Sequence, residues 1–393
     1  MRVVIAPDSF KESLSASGVA QAIASGVRDV LPNADIVCVP MADGGEGSLD
    51  AVLAATGGER RQAHVQNANN KVCEASWAWL GKGSAFIEMA AAAGLEQIPP
   101  AERRPLQATS YGVGQLIEQA LDAGAHHIVL GLGGSATNDA GAGLIQALGA
   151  SLLDAQGNEL PLGGAALAQL ASISVQGLDT RLADVSFEIA VDVDNPLCGP
   201  RGASAIFGPQ KGASVDDVAT LDAALAHFAR VCAEQFHKDE QNLPGMGAAG
   251  GLGFAVKTCF NARFRPGVEL IAELSGLDDA MKGTDLVFTG EGRMDAQTLL
   301  GKTPAGVARH AGKHGIPVIA LVGSLGEGYE ALYQAGITAA FSLAPGPLTL
   351  EQACDKAPEY LRQRASDCTR LWLAGKPAGV ITKAKVMEQV DQQ

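Results

Sequence analysis

Aromatic and charged residues are scarce in this 393-residue chain. Aromatic residues make up 5% of it and charged residues 18%, whereas hydrophobic residues reach 47%. This composition lacks the polar excess typical of disordered chains and indicates a large core. Apolar runs are short as well, because none approaches the roughly 20 residues that span a bilayer. The N-terminus also lacks the apolar segment typical of a secretion signal. We therefore expect a globular, cytoplasmic protein.

Cysteine pairs and positive charge are also lacking. The seven cysteines are scattered and form no C-x-x-C pair, so neither a zinc site nor a disulfide framework is predicted. The 29 lysines and arginines are outnumbered by 43 aspartates and glutamates, which gives a net charge of −14. Such a charge argues against nucleic acids and anionic membranes as partners. A small anionic substrate is still compatible, because salt screens charges beyond about 8 Å, and so is a homo-oligomer.

Predicted strands and helices alternate at both ends of the chain. Near the N-terminus, strands are predicted over 2–6 and 35–39, with a helix over 16–30 that Ser15 caps. The same pattern returns late, with strands over 285–289, 317–322 and 339–343 and a helix over 303–313. Alternation of this kind is typical of a parallel α/β sheet.

The five predicted strands suffice for one doubly wound α/β domain, but its two halves are separated by a long stretch of chain. We therefore predict a discontinuous α/β domain formed by 1–62 plus 264–393, with an inserted α/β domain over 63–263. The active site is expected in the cleft between them. The inserted domain is predicted to contain strands at 127–130 and 187–191 and helices at 114–123, 140–148 and 216–234.

Polar clusters follow three of the predicted strands. In open α/β sheets, ligands bind at the carboxyl ends of the strands. Turns are often polar for local reasons, yet core packing alone does not require charged side chains at matched strand ends. The clusters are therefore predicted to line one crevice, with these candidate residues: Asp8, Ser9, Lys11, Asp43, Glu291, Arg293 and Asp295.

A glycine-rich loop over 131–139 lies between a predicted strand and a predicted helix. Glycine allows backbone N–H groups to approach an anion, and nearby hydroxyls add donors. The candidate anion-binding residues are Gly133, Gly134, Ser135, Thr137 and Asn138. The loop also matches the G-x-G-x-x-A dinucleotide fingerprint, with Asp154 as the acidic residue. An NAD-dependent dehydrogenase is therefore an alternative, although the polar run 137–139 falls where a dinucleotide-binding helix should pack.

Two further glycine-containing segments give weaker signals. The segment 245–250 fits G-x-G-x-x-G without a preceding strand and is interpreted first as a flexible loop, with contact to an anion as the less favoured alternative. Gly301-Lys302-Thr303 resembles the end of a P-loop, but alanine occupies position 296, where the motif requires glycine. Lys302 is therefore a candidate for phosphate neutralisation at a helix N-terminus rather than part of a Walker A motif.

The central segment 191–200 contains two aspartates two residues apart. On the end of a strand, Asp192 and Asp194 would point to the same side, close enough to share Mg²⁺ or to divide the roles of base and metal ligand. The chain then continues to Arg201 and Lys211, which add positive charge nearby. A rigid, proline-containing loop without a catalytic role is the competing interpretation.

Five motifs together resemble the bacterial glycerate kinase family. They are APDSFKESLSA, MADGGEG, GLGGSATNDAG, DVDNPLCGPRGA with FGPQKGA, and TGEGRMDAQTLLGKTPAGVA. Their order and spacing agree with the family from about residue 1 to about residue 350, while the stretch after Gly375 belongs to no recognised motif. The resemblance implies a flavodoxin-like domain that carries an inserted α/β domain. It also implies transfer of the ATP γ-phosphoryl group to D-glycerate, at the C2 hydroxyl in the most similar bacterial members.

Candidate roles follow from the chemistry of the residues at these positions. Phosphoryl transfer needs charge neutralisation and a group that orients or deprotonates the attacking hydroxyl. Asp192 is the predicted base or orienting group, with Asp194 as its rival. Lys11, Lys211 and Arg293 are the predicted cations, and Asp139 and Asp194 the predicted Mg²⁺ ligands. A non-catalytic sensor of small ligands is the alternative outside enzymes.

Overall fold

The structure is a computed structural model, and it describes residues 1–376. The tail predicted after Gly375 lies almost entirely outside these residues. The β-strands are, in chain order, β1 (Arg2–Ile5), β2 (Asp35–Cys38), β3 (Glu59–Gln66), β4 (Val72–Gly81), β5 (Ser84–Glu88), β6 (His127–Gly131), β7 (Ser151–Leu153), β8 (Ser172–Ser174), β9 (Ser186–Ala190), β10 (Arg263–Arg265), β11 (Leu286–Thr289), β12 (Arg293–Met294), β13 (Val318–Val322), β14 (Ser324–Leu325) and β15 (Ala339–Ser342).

The α-helices are, in chain order, α1 (Ala16–Arg28), α2 (Ser48–Thr56), α3 (Ala90–Ala93), α4 (Tyr111–Asp122), α5 (Ala142–Ala147), α6 (Ala203–Phe207), α7 (Val215–Phe236), α8 (Ala248–Phe260), α9 (Gly267–Leu274), α10 (Leu277–Met281), α11 (Thr303–Gly312), α12 (Ala331–Gln334), α13 (Leu350–Asp355) and α14 (Ala357–Ala374). Short 3₁₀ helices connect several of them, including one over Ala296–Leu300. The predicted strands and helices named above are present with slightly different ends.

The chain divides into two compact units. Unit 1 comprises Met1–Asp43, Asp50–Ala55 and the chain from Ile271 onward, and unit 2 comprises Gly44–Leu49 and Thr56–Leu270. Unit 1 is therefore discontinuous in sequence. Within the described residues, no helix combines the length and the apolar character needed to cross a membrane.

Unit 1 contains a parallel five-stranded sheet in the order β15-β13-β11-β1-β2. This is the flavodoxin-like order, in which the first two strands run to one side and the later three to the other. The pairing joins distant parts of the chain, since Val3 lies opposite Leu286 on one side and Ile36 on the other. The predicted parallel α/β fold is confirmed here.

Hydrophobic packing explains the arrangement of unit 1. The strands are short runs of β-branched and aliphatic residues, such as RVVI in β1 and VIALV in β13. Helix α1 begins at Ser15, whose Oγ accepts a hydrogen bond from Gly18 N at 3.2 Å. Its buried face recurs every three or four residues and packs into the same core as Leu361 and Ala365 of α14. Amphipathic helices of this kind cover the faces of a parallel sheet.

Unit 2 contains a six-stranded sheet in the order β10-β9-β6-β5-β4-β3. Strands β5, β6, β9 and β10 are parallel, while β3, β4 and β5 form an antiparallel meander. The sequence did not reveal this meander, because β3 (ERRQAHVQ) buries only alternate residues and is otherwise polar. One-sided burial of this kind is typical of antiparallel strands.

Candidate active site

Three carboxylates of unit 1 follow adjacent parallel strands. Asp8 lies after β1, Asp43 after β2 and Glu291 after β11, so all three lie at the carboxyl edge of the sheet. They are close enough for their charges to interact. Burial, reinforced by the charges of Asp43 and Glu291, raises the pKa of Asp8 to about 7. The structure thus brings these three predicted residues together.

Two threonines hold two of the carboxylates of this edge, those of the half-buried Asp8 and the buried Glu291. Thr303 Oγ1 donates to Asp8 Oδ2 at 2.6 Å, and Ser9 N donates to Asp8 Oδ1 at 2.7 Å. Thr298 Oγ1 donates to Glu291 Oε1 at 2.7 Å. Both threonines are fully buried. The segment that contains them therefore fixes the orientation of both carboxylates.

Positive charge near this edge comes from Lys302, whose Nζ lies 3.7 Å from Glu291 Oε2. Burial raises the pKa of Glu291 to about 7, although the Thr298 hydrogen bond and the Lys302 charge both oppose the increase. Lys302 is the residue before helix α11, as the sequence predicted. This ion pair ties the lysine to the carboxylate edge.

The remaining predicted residues of unit 1 are more exposed. Arg293 Nε donates to Asp295 Oδ2 at 3.2 Å, and the Arg293 side chain is 70% exposed. Asp295 also accepts a hydrogen bond from Gln297 N at the start of a 3₁₀ helix. Lys11 is exposed in the turn after β1. Arg293 and Lys11 are therefore accessible cations, whereas Asp295 has a capping role.

The glycine-rich loop of unit 2 encloses a lysine. Lys211 is 2% exposed, and its Nζ donates to Ser135 Oγ at 2.8 Å and to Thr137 O at 2.7 Å. Burial lowers the pKa of this ammonium to about 7, although the negative charge of Asp139 acts in the opposite direction. The structure thus brings Lys211 to the loop that sequence reasoning had proposed as an anion cradle.

Asn138 extends this polar cluster. Its Nδ2 donates to Ser204 Oγ at 2.8 Å, while its Oδ1 is buried without a hydrogen-bond partner among the described residues. Buried polar atoms in native proteins nearly always have a partner. Asn138 Oδ1 therefore keeps a hydrogen-bonding capacity that the described residues do not use, on a loop that contacts the buried Lys211.

The carboxylate of Asp139 is engaged in hydrogen bonds within the protein. Its carboxylate is fully buried and accepts hydrogen bonds from Ser110 N, Ser110 Oγ, Gly141 N and Gly143 N at 2.8–3.2 Å. Burial raises its pKa, and these donors oppose the increase. A carboxylate has about four lone-pair positions. Its predicted role as a Mg²⁺ ligand therefore has no support in this geometry.

Glycines allow the loops of unit 2 to pack backbone against backbone. A Cβ on Gly133 would lie 2.4 Å from Gly45 Cα, and one on Gly131 would lie 2.5 Å from Gly44 O. Atoms cannot approach so closely without a shift of the backbone. The backbone at Gly44 and Gly45 therefore packs directly on Gly131 and Gly133, and only glycine fits at these last two positions.

The second glycine-rich segment, 245–250, was predicted as a flexible loop, and this prediction is wrong. All six of its residues are buried. The backbone turns through left-handed φ values at Ala249, Gly250 and Gly251 before the regular part of α8 begins. Gly250 O accepts a hydrogen bond from Ala140 N at 3.0 Å. The segment is therefore hydrogen-bonded to the backbone directly after the 131–139 loop.

Asp192 and Asp194 lie beyond the end of β9 and have separate partners. Asp192 Oδ1 accepts a hydrogen bond from Gly267 N at 2.9 Å, and Asp194 lies 3.1 Å from Arg201 NH2. Both side chains are exposed. The segment lies outside the strand, and the separate partners of the two carboxylates give no support for the shared pair that strand geometry predicted, which stays a prediction.

The side chains available as metal ligands limit how a metal ion could be bound. Among residues 1–376, no group of three or more histidine, cysteine, aspartate or glutamate side chains is arranged around a metal position. Mg²⁺ is often bound by only one or two carboxylates together with substrate phosphates and water. The exposed carboxylate of Asp194 fits that pattern, whereas the enclosed carboxylate of Asp139 does not.

Several residues of these clusters were missed by sequence reasoning. Glu88 at the end of β5 is buried, and its Oε1 accepts a hydrogen bond from Leu49 N at the start of α2. Thr298, Thr303 and Ser204 were missed as well. Of these, Thr298 could have been predicted, because Asp295-x-x-Thr298 is a helix-capping pattern. The contacts of the other residues depend on pairings between distant segments.

The comparisons with known proteins agree with these motifs. The model of the glycerate kinase family matches residues 3–373. The chain belongs to the glycerate kinase family. It is 50% identical to the glycerate 2-kinase of Escherichia coli (strain K12) over 354 residues, which cover 90% of this chain and 93% of that protein. It is 48% identical to the glycerate kinase of Bacillus subtilis (strain 168) over 368 residues, which cover 93% and 96%.

A solved structure extends the agreement to three dimensions. The crystal structure of a protein assigned as glycerate kinase 2 from Salmonella typhimurium LT2 matches with a TM-score of 0.86 and 48% identity, covering 95% of this chain and 99% of that chain. The predicted family and α/β fold are therefore confirmed. As a member of the glycerate kinase family, the chain is a phosphotransferase, which favours neither the dehydrogenase nor the sensor alternative.

Proposed function

We propose that this enzyme transfers the γ-phosphoryl group of ATP to the C2 hydroxyl of D-glycerate and releases 2-phospho-D-glycerate. The observation that carries this proposal is the 50% identity to the Escherichia coli glycerate 2-kinase over nearly the whole of both chains. The polar clusters of the two units supply the chemistry that such a transfer needs: donors for phosphate and carboxylates for substrate hydroxyls.

Unit 2 is proposed to bind the phosphates of ATP. Lys211, Ser135 and Thr137 already form a hydrogen-bonded cluster on the glycine-rich loop, and Gly133 and Gly134 leave its backbone open to an anion. A phosphate beside Lys211 would favour the charged ammonium and reverse the effect of burial on its pKa. Asn138, whose buried Oδ1 lacks a partner, is proposed to contact the same ligand.

Unit 1 is proposed to bind glycerate. The carboxylates of Asp8, Asp43 and Glu291 are suited to accept hydrogen bonds from the two substrate hydroxyls, with Ser9 and Asp295 completing this set. Arg293 is exposed and planar, which suits a bidentate contact with the substrate carboxylate. Lys11 and Lys302 are proposed to neutralise phosphate charge.

Asp192 is proposed to orient the attacking hydroxyl, because its exposed carboxylate is fixed by Gly267 N–H. Asp194 would hold Mg²⁺ together with phosphate oxygens. When bound there, the ion would neutralise charge on the transferring phosphoryl group. We do not include Asp139 in this metal site, because its oxygens already accept four hydrogen bonds.

The test is to incubate the enzyme with ATP, Mg²⁺ and D-glycerate and to identify the product by phosphorus NMR. We expect the signal of 2-phosphoglycerate, with one ADP formed per product. Formation of 3-phosphoglycerate would refute the C2 assignment alone, whereas no phosphoglycerate would refute the kinase proposal. A thermal-shift comparison of Mg-ATP with NAD separates kinase from dehydrogenase, because only the bound nucleotide raises Tm.

A further inference from the structure

Asp8 lies at the switch point of the five-stranded sheet in unit 1. The chain runs to opposite sides after β1 and before β11, and these two strands are adjacent. Ligands of open α/β sheets bind at the carboxyl ends of such a strand pair. Asp8 N donates to Gly290 O at 2.8 Å, which joins the segments that follow the two strands. The backbone of Asp8 is therefore fixed where a substrate is expected.

The described contacts of the Asp8 carboxylate leave it room to accept another hydrogen bond. Oδ2 accepts from Thr303 Oγ1 at 2.6 Å, and Oδ1 accepts from Ser9 N at 2.7 Å and weakly from Ser9 Oγ at 3.4 Å. A carboxylate has about four acceptor positions. Asp8 thus combines a fixed orientation with capacity for a substrate hydroxyl.

The charges around Asp8 distinguish it from the other carboxylates of the candidate site. The charged groups that act on it are Asp43, on the segment after β2, and Glu291, on the segment after β11. Lys302 Nζ lies 3.7 Å from Glu291 Oε2. In contrast, Asp194 and Asp295 are each paired with an arginine. An anionic environment makes Asp8 a stronger proton acceptor than a carboxylate beside a cation.

We propose that Asp8 is the catalytic residue that accepts the proton of the attacking hydroxyl, and that Thr303 is its positioning residue. This inference rests on the proposed kinase activity for its chemistry. Neither residue's role is implied by the family resemblance. Burial and neighbouring negative charge already raise the pKa of Asp8 to about 7, and a general base works best with a pKa near the operating pH.

The step is balanced as follows. The C2 oxygen of glycerate forms a bond to the γ-phosphorus of ATP, and the bond between that phosphorus and the β–γ bridging oxygen breaks, so ADP leaves with the electron pair. The hydroxyl proton moves to the carboxylate of Asp8. Asp8 later loses this proton to water, which restores the ionised base for the next cycle.

Thr303 has two effects in this proposal. Its hydroxyl occupies Oδ2 and so fixes the rotation of the carboxylate, and its hydrogen bond stabilises the ionised form against burial and the charges of Asp43 and Glu291. Loss of this hydrogen bond raises the pKa of Asp8. The ionised fraction, and with it the rate, then falls at any pH near neutrality.

The first experiment measures kcat/KM for glycerate against pH in the wild type, Thr303→Val and Thr303→Ser. In the wild type, we expect kcat/KM to fall as the pH drops below about 7, and we call this fall the acid limb. In the valine variant, the limb should shift to higher pH by about one unit. Activity should recover at high pH, and serine should restore the wild-type profile. A uniform loss of rate with an unchanged limb would overturn the positioning role.

Two matched variants control this experiment. Thr298→Val removes the equivalent hydrogen bond to Glu291 and should raise KM for glycerate. It should move the limb less than Thr303→Val does, because Glu291 acts on Asp8 only through its charge. Thr369→Val alters a fully buried threonine of α14, whose Oγ1 donates to Ala365 O at 2.7 Å, and tests the effect of the substitution on folding. A shift of the limb in Thr298→Val at least as large as that in Thr303→Val would assign the base to Glu291 and overturn the proposal.

Asp8→Asn tests the base itself. Because asparagine can still accept the Thr303 hydrogen bond, the variant is expected to fold and to lose about 10²- to 10⁴-fold in kcat. The apparent affinity for Mg²⁺ should not change. Weakened Mg²⁺ binding would identify Asp8 as a metal ligand, and retained kcat would remove it from catalysis.

A measurement without substrate separates this inference from the proposed function. Carboxyl carbons of ¹³C-labelled aspartate can be titrated by NMR, with Asp8→Asn identifying the Asp8 signal. We expect Asp8 to titrate near pH 7 in the wild type and higher in Thr303→Val. Titration in the usual aspartate range, near pH 4, would refute the inference even if the kinase activity is found. The titration expected here without glycerate phosphorylation would refute only the proposed function.

Discussion

Lys211 Nζ lies 2.8 Å from Ser135 Oγ, with the lysine side chain enclosed by the protein. The ammonium also donates to Thr137 O, so it joins the glycine-rich loop to the segment that begins α7. Burial of a charged lysine destabilises the folded protein unless the ammonium is paired and hydrogen-bonded or loses its proton. This contact therefore ties the proposed nucleotide-binding loop to another segment of unit 2.

Lys211→Met is expected to raise KM for ATP by about tenfold or more, because it removes a charge-assisted donor to phosphate. KM for glycerate should change less, since the predicted glycerate residues belong to unit 1. Steady-state kinetics with each substrate varied separately give this comparison. Equal increases in both KM values would contradict the assignment of Lys211 to ATP.

The same variant tests the protonation of Lys211. The folded-state pKa is lowered to about 7, whereas the unfolded chain keeps a value of about 10.4. Between these values the unfolded state binds the additional proton, so the free energy of unfolding rises with pH. The stability difference between wild type and Lys211→Met should therefore shift in favour of the wild type from pH 7 to pH 9. Urea denaturation at several pH values would measure it, and a constant difference would contradict the lowered pKa.

Asp139→Ala is expected to destabilise the protein by about 3 kcal/mol or more, because three buried N–H groups and the Ser110 hydroxyl lose their acceptor. Asp139→Asn should cost less, since one acceptor oxygen is kept. Urea denaturation measures both. The Mg²⁺ dependence of the folded asparagine variant should match the wild type, and a large change would restore Asp139 as a metal ligand.

Gly133→Ala is expected to cost more than about 1 kcal/mol in stability, because the new Cβ would meet Gly45 Cα. The backbone shift should also raise KM for ATP. Gly312→Ala is the matched control, since a Cβ at that position would meet open space and alanine favours helix α11. Thermal unfolding of both variants would show the contrast, and equal Tm values would argue against tight loop packing.

Asp192→Asn is expected to lower kcat by less than the 100-fold or so that loss of an acid–base group causes. Asparagine can still accept the hydrogen bond from Gly267 N, so the orientation of this side chain is preserved. The acid limb of the pH profile should stay in place. A loss above about 10³-fold would return the role of base to Asp192.

The sequence predicted the parallel sheet of unit 1 well, because its buried strands are continuous apolar runs ended by proline, glycine and aspartate. It also predicted that Asp8, Asp43 and Glu291 would meet, since parallel strands place their carboxyl ends at one edge. It missed the β3–β5 meander, in which polar residues alternate with buried ones. The Lys211–Ser135 and Thr303–Asp8 contacts could not be predicted in detail, because side-chain pairing between distant segments leaves no periodic signal.

The pairing of Val3 with Leu286 has a consequence for synthesis of the protein. Strand β1 leaves the ribosome early, but the strand that completes its central pairing follows more than 280 residues later. At about 5–20 residues per second, the first strands wait for many seconds with an apolar edge exposed. Unit 2 is nearly contiguous and can form its own sheet during that interval. Chains that end before β11 are therefore expected to aggregate, and late formation of unit 1 is expected to limit the rate of folding.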